Sequence, residues 1–239
     1  MTTRVAVLGA AGRMGSVTCA AVRDDPDLEL VARVSSSDSL EAVLDAGADV
    51  AVEFTTPASV ATNTRWLLER GVHAVVGTTG LGEEDLESLR DLVGPANCLV
   101  APNFAIGAVL LMRLAAEVAR YLPHVEITEL HHERKVDAPS GTALRTARLI
   151  AQARADADFE VPGPADHPAR GLLVEGVPVH SVRLPGLVAS EEVVFGGQGQ
   201  TLTLRHNSID RSSFMPGVLL AVHKIASTPG LTVGLEALL

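Results

Sequence analysis

Aromatic residues are scarce in this chain: one Trp, one Tyr and five Phe make up 3 % of 239 residues. The interior must therefore be aliphatic, and 47 % of the chain is apolar. Cysteine is scarcer still, with only Cys19 and Cys98. Two cysteines cannot staple a chain of this length, and their spacing fits no metal site. They point to a reduced, cytoplasmic protein in which both thiols are buried as small hydrophobes. Positive charge is in deficit: 19 Lys and Arg against 29 Asp and Glu leave a net charge of −10. That excludes a nucleic-acid binder working through bulk charge. Long apolar runs are also missing. No stretch reaches membrane-spanning length without a charge or a breaker, and Val5–Leu8 is too short for a signal-peptide core.

What is present is alternation. The length suits one large domain or two modest ones. Arg4–Leu8, Leu28–Val34, Asp49–Phe54, His73–Val76 and Asn97–Val100 read as strands. Helical patterns over Met14–Arg23, Pro57–Arg70 and Glu83–Val93 separate them. Strands alternating with helices predict an α/β fold with a doubly wound parallel sheet. After Pro102 the pattern changes. Helices are expected over Gly107–Tyr121 and Ser140–Ala155, and a loop over Asp156–Ala169. Strands are expected over Val125–Leu130, Val177–Leu184, Ala189–Gly196 and Gln200–Asn207, and a last helix over Phe214–Ala226. That is a second domain with a mixed or antiparallel sheet. The division expected is 1–103 with 212–239, and 104–211.

The first strand ends in Gly9-Ala10-Ala11-Gly12-Arg13-Met14-Gly15. Small residues between a strand and a helix let backbone approach a pyrophosphate, whose charge the helix N-terminus stabilises. The end of the second strand then reads the ribose. Arg33 and Ser35, with Arg13 in the glycine turn, suit a ribose phosphate and favour NADPH over NADH. The alternative is that Arg33 points to solvent and Asp38 accepts from the ribose hydroxyls. Gly77-Thr78-Thr79-Gly80 and Ala101-Pro102-Asn103-Phe104 follow the fourth and fifth strands at their carboxyl ends, where open α/β sheets bind ligands. Both are expected to line a nicotinamide pocket.

The densest chemistry lies at 130–143, Leu-His-His-Glu-Arg-Lys-Val-Asp-Ala-Pro-Ser-Gly-Thr-Ala. Histidine titrates near neutrality and can act as an acid. A lysine ammonium stabilises developing negative charge. Amides at a helix start around Ser140, Gly141 and Thr142 form an anion site. Adjacent histidines point apart and no third ligand accompanies them, so no metal is expected.

With these motifs in order, together with Glu53-Phe54-Thr55, Phe195-Gly196, His206 and Arg211-Ser212-Ser213-Phe214, the chain resembles the 4-hydroxy-tetrahydrodipicolinate (dihydrodipicolinate) reductases over essentially its whole length. The segment Pro229–Glu236 looks like their actinobacterial branch. The resemblance implies a Rossmann domain, a mixed-sheet domain that builds a homotetramer, and hydride transfer from NAD(P)H to a cyclic dicarboxylate on the route to lysine. It implies that His131 and Lys135 are catalytic, and that His132, Gly141 and Thr142 contact substrate.

Two rivals stand beside this reading. One is a Rossmann oxidoreductase acting on another imine or keto acid. The other is a nucleotide sensor that has lost turnover, which would need neither His131 nor Lys135. On the reductase reading the two domains close about Pro102–Phe104 and Arg211–Phe214 to join nicotinamide to substrate. Small-angle scattering should then show compaction with cofactor and a dicarboxylate inhibitor together. Unchanged dimensions would refute closure.

Overall fold

The computed structural model describes residues 2–156 and 167–239. Most of the loop expected over Asp156–Ala169 lies outside the described residues. The chain divides into two compact units, Met1–Ile106 with Arg211–Leu239, and Gly107–Asp210.

The first unit opens with β1 (Thr3–Leu8), α1 (Arg13–Asp24), β2 (Leu28–Val34), α2 (Glu41–Asp45) and β3 (Val50–Glu53). It continues with α3 (Val60–Glu69), β4 (His73–Val76), α4 (Glu83–Arg90) and β5 (Cys98–Val100). Helix α3 starts three residues later than the proline at 57 suggests. The Thr56 carbonyl accepts from the amides of Ser59 and Val60, both at 3.0 Å, so Pro57 belongs to a turn and not to the first helical position. Helix α4 stops at Arg90, short of the expected Val93, because Leu92 and Val93 both turn back onto the Leu89 carbonyl.

Helix α5 (Ile106–Ala119) leads into the second unit, which contains β6 (His124–His131), α6 (Gly141–Asp156), β7 (Leu172–Val174), β8 (Val177–Arg183), β9 (Ala189–Gly197) and β10 (Gln200–Ser208). The sheet order is β10-β9-β6-β8-β7. Strand β6 runs parallel to β8 and antiparallel to β9, so the sheet is mixed. Its core is aliphatic apart from Phe195: Leu111 and Ala115 of α5 and Ala147 and Ile150 of α6 pack with Ile127, Val179 and Val193. The period of two in β6 buries Val125, Ile127 and Glu129 on the same side.

The chain then returns through a 3-10 turn at Arg211–Phe214, α7 (Met215–Ile225) and β11 (Leu231–Val233) to complete the first unit. Its sheet is wholly parallel, in the order β2-β1-β3-β4-β5-β11. Parallel strands are covered on both faces, and β3 is buried end to end, including Glu53. Strand β11 extends the sheet beyond β5, a role the sequence pattern does not reveal. The Asn97 side chain fastens this return by donating to the Ile225 carbonyl at 2.9 Å and accepting from the Gly230 amide at 3.1 Å. Both cysteines are buried, and burial pushes the Cys98 thiol up to about 12, so it is inert. Among the described residues no helix is long and apolar enough to cross a membrane.

The tightest packing is at the glycine turn. A Cβ at Gly15 would overlap the Gly9 carbonyl and press to 2.8 Å on the Ala10 Cα, all of it backbone that cannot step aside. Gly15→Ala should therefore cost about 1–3 kcal/mol by overpacking, read as a lower midpoint in thermal unfolding. Gly94→Ala, with open space around it, should leave the midpoint nearly unchanged.

Candidate functional site

Strand order in the first sheet reverses between β1 and β3, and ligands of open α/β sheets bind outside the carboxyl ends of strands at such a point. A cleft of about 490 Å³ lies there, with the glycine turn (Gly9, Ala11, Gly12) along one wall, Ser35, Ser36 and Asp38 after β2 along another, and Phe54 and Thr55 after β3. Helix α1 begins beside it at Gly12 with no side-chain cap and no acidic residue in its first turn. Its leading amides are therefore left for an anion. These features fit the pyrophosphate and ribose of a dinucleotide.

The wall after β2 is shaped by Asp38. Its carboxylate accepts from the Ser35 amide at 2.8 Å and the Ser35 hydroxyl at 2.6 Å. Those bonds hold the acid below the usual carboxylate range. Arg13, Arg33 and Met14 do not line the cleft, both arginines are exposed, and Ala10 is buried behind it. Asp38, Ser36, Phe54 and Thr55 face the cleft, although sequence reasoning gave them no place among the favoured contacts. The other two motifs sit farther along the same sheet edge. A Cβ at Gly77 would collide with the Phe54 ring and come within 2.8 Å of Phe104. Those two rings meet edge to face at 6.0 Å. The Thr78 hydroxyl donates to the Glu53 carbonyl at 3.3 Å, and Asn103 accepts from the Ala105 amide at 2.9 Å. Thr79, Ala101 and Pro102 belong to these same two loops.

In the second unit, His131 ends β6 two residues after Glu129, so both side chains fall on the core side of the strand. Glu129 is fully buried, and His131 keeps only 14 % of its side chain exposed. The His131 Nδ1 is hydrogen-bonded to a Glu129 carboxylate oxygen. From β8, Arg183 grips both oxygens of Glu129, at 2.9 and 2.8 Å. Burial alone would raise the Glu129 carboxyl, but the bonds from His131 and Arg183 outweigh it and bring it down to about 2. Glu129 is therefore an anion throughout the physiological range.

Arg183 also reaches the turn that carries the lysine. It donates to the Asp137 carbonyl at 2.6 Å and to the Lys135 carbonyl at 3.3 Å. The Lys135 ammonium meets both carboxylate oxygens of Asp137 at 2.8 Å. The bonds from Lys135, and its charge, lower the Asp137 carboxyl. After the cis Ala138–Pro139 bond, buried Ser140 caps α6, its hydroxyl accepting from the Ala143 amide at 3.2 Å. That hydroxyl is thus committed to the helix. Gly141 is exposed, with open space where a Cβ would lie, and the first turn of α6 holds no acid, so a carboxylate can approach the helix start. His132, after β6, and Thr142, in the first turn of α6, are both half-buried.

Glu129 also has an acidic neighbour. Glu191 lies opposite it in the β6–β9 pairing and is itself buried. Burial, assisted by the negative charge of Glu129, pushes the Glu191 carboxyl up to about 7, with Thr146 pulling the other way. The sheet interior thus holds one firm anion and one carboxyl that stays protonated in acid. His206 packs its ring against Gly107 at the start of α5, and burial lowers its pKa. Sequence reasoning missed Glu129, Arg183 and Glu191. Their signal was ionisable residues at core-facing positions of strands, legible only once register is known.

Comparison with known proteins gives the family. Residues 3–104 match the family model for the dihydrodipicolinate reductase N-terminus and residues 107–239 that for its C-terminus. A 4-hydroxy-tetrahydrodipicolinate reductase of Nocardia farcinica is 56 % identical over 246 residues, covering 100 % of this chain and 99 % of its own. One from Streptomyces coelicolor is 55 % identical, covering 98 % and 96 %. The solved dipicolinate-bound dihydrodipicolinate reductase of Paenisporosarcina sp. TG-14 superposes with a TM-score of 0.87 at 39 % identity, over 100 % of both chains. An amine dehydrogenase of Mycobacterium smegmatis shares the fold alone, with a TM-score of 0.64 at 14 % identity over 99 % and 96 %. With both halves matched and relatives more than half identical along its length, the chain belongs to the dihydrodipicolinate reductase family.

Proposed function

We propose that the protein reduces 4-hydroxy-tetrahydrodipicolinate to tetrahydrodipicolinate, with loss of water, in the diaminopimelate route to lysine. The observation that carries the reading is the His131–Glu129 contact beside Lys135 and an open helix start, in a chain of this family. NAD(P)H supplies the hydride when bound. The chain's residues manage charge and protons. Because Glu129 accepts at Nδ1, the proton that His131 gives up is the one on Nε2, and it goes to the side of the ring where hydride addition builds negative charge. Lys135 stabilises that charge, exchanging Asp137 for substrate. The start of α6 at Gly141 and Thr142 receives one substrate carboxylate, and His132 with Lys135 the other. The enzyme works as a cytoplasmic homotetramer on this reading.

Lys135→Ala should lower kcat about 100-fold or more while leaving the dissociation constant of the nucleotide within about threefold. A loss of nucleotide binding with kcat preserved would contradict the role given to Lys135. No turnover by the wild-type protein with either nucleotide, despite tight binding of one, would favour the sensor or a different imine.

The cofactor proposal is that both nucleotides are used, Asp38 receiving ribose hydroxyls and Arg33 with Arg13 receiving a ribose phosphate. The NADPH preference expected from the sequence rests on those two exposed cations, while the carboxylate in the cleft wall suits NADH. Arg33→Ala should reduce kcat/KM for NADPH about tenfold and spare NADH, whereas Asp38→Asn should do the reverse. If neither substitution changes the ratio, neither residue reads the ribose.

A further inference from the structure

Family membership draws attention to the two histidines and the lysine, but the buried chemistry of the second unit centres elsewhere. Glu129 is fully enclosed and anionic. An enclosed carboxylate is costly unless paired and fully hydrogen-bonded. Its partners come from three places: His131 on its own strand, Arg183 on β8, and, across the sheet, Glu191 on β9 as a like charge that is relieved by protonation. A core built for stability alone is served as well by apolar residues of the same volume. The arrangement instead has directional consequences. One carboxylate oxygen fixes which nitrogen of His131 carries its hydrogen, and Arg183 extends from that carboxylate to the carbonyls of Lys135 and Asp137.

We propose that Glu129, clamped by Arg183, is the positioning residue of the proton-transfer step, holding His131 with its hydrogen on Nδ1 and the 135–137 turn in the place that aims Lys135. The inference rests on the reading of His131 as proton donor. In the step itself the Nε2–H bond of His131 breaks and its proton passes to the hydride-reduced substrate. The neutral ring keeps its Nδ1 hydrogen on Glu129, and solvent restores the Nε2 proton. Glu129 exchanges no proton. It offsets the positive charge of the imidazolium before transfer and orients the neutral ring after it. Arg183 acts on both catalytic groups at once, so its loss disturbs Lys135 as well as His131.

Two variants test this. Glu129→Gln keeps the shape and removes the charge. Glu129→Leu with Arg183→Met replaces the whole pair by apolar side chains, the exchange under which buried ion pairs are commonly neutral for folding. In both, kcat should fall about 100-fold or more with nucleotide affinity unchanged. The groups facing this site are Arg183, Glu191, Lys135 and Asp137; in the Glu129→Gln variant all four remain. Independently of turnover, nitrogen-15 spectra of labelled histidine in the full-length protein should show His131 protonated at Nδ1 in the wild type and a mixture of tautomers in the double variant. A folded double variant with wild-type kcat and wild-type His131 tautomer would overturn the proposal. A wild-type protein inactive on 4-hydroxy-tetrahydrodipicolinate would sink the reading of the reaction instead, while the spectra would still decide the role of Glu129.

Discussion

The second unit depends on a buried charge that must be neutralised where it stands. Glu129 lies at a position where the strand alternation calls for an aliphatic residue, between Ile127 and the histidine that ends β6. Leaving such a carboxylate unpaired would be strongly destabilising, so its partners are not optional. Arg183 must reach it from β8, which requires the parallel β6–β8 register, and His131 must reach it along the strand. Once those bonds form, the turn after β6 has little freedom left, because the same guanidinium holds two of its carbonyls. Charge compensation in the core and placement of the 135–137 turn are thus a single requirement.

The first unit solves its problem with backbone, not charge. A parallel sheet forces every connection to cross over, which places the loops after β1, β2, β3, β4 and β5 along one edge. Small residues are needed there because helix, strand and neighbouring loop crowd together. Gly15 is pressed by the Gly9 carbonyl, and Gly77 by the rings of Phe54 and Phe104. The cleft left among these loops has amide donors on one side and Asp38 on the other, which is the polarity a phosphate and a ribose require.

Much of this was legible in the sequence. Strands of Val and Ala alternating with amphipathic helices prescribed the parallel sheet, and the run from His131 to Thr142 stood out because its ionisable and helix-starting residues are consecutive. Short elements were harder to read. Strand β11 has three residues, Leu231–Val233, and owes its existence to the edge of β5 and to Asn97 rather than to its own propensity. Helix α2 has five residues, too few for a periodicity to emerge. The support of His131 was hidden for another reason. Glu129 and Arg183 are 54 residues apart, and no local rule links an acid in one strand to a base in another before their pairing is known. Likewise Arg33 and Asp38 both stand near the end of β2, and only the path of the turn decides which faces the cleft.

The return of the chain to the nucleotide-binding unit has a consequence for synthesis. The Asn97 side chain is satisfied by a carbonyl 128 residues downstream, and the outer edge of β5 is closed by β11. A ribosome therefore delivers nearly all of this unit, then the whole of the second one, before it supplies α7 and β11. Until then the nascent chain carries an open parallel edge and an uncovered sheet face, the features through which unfinished chains pair with one another. The second unit, contiguous in sequence, is free to fold first.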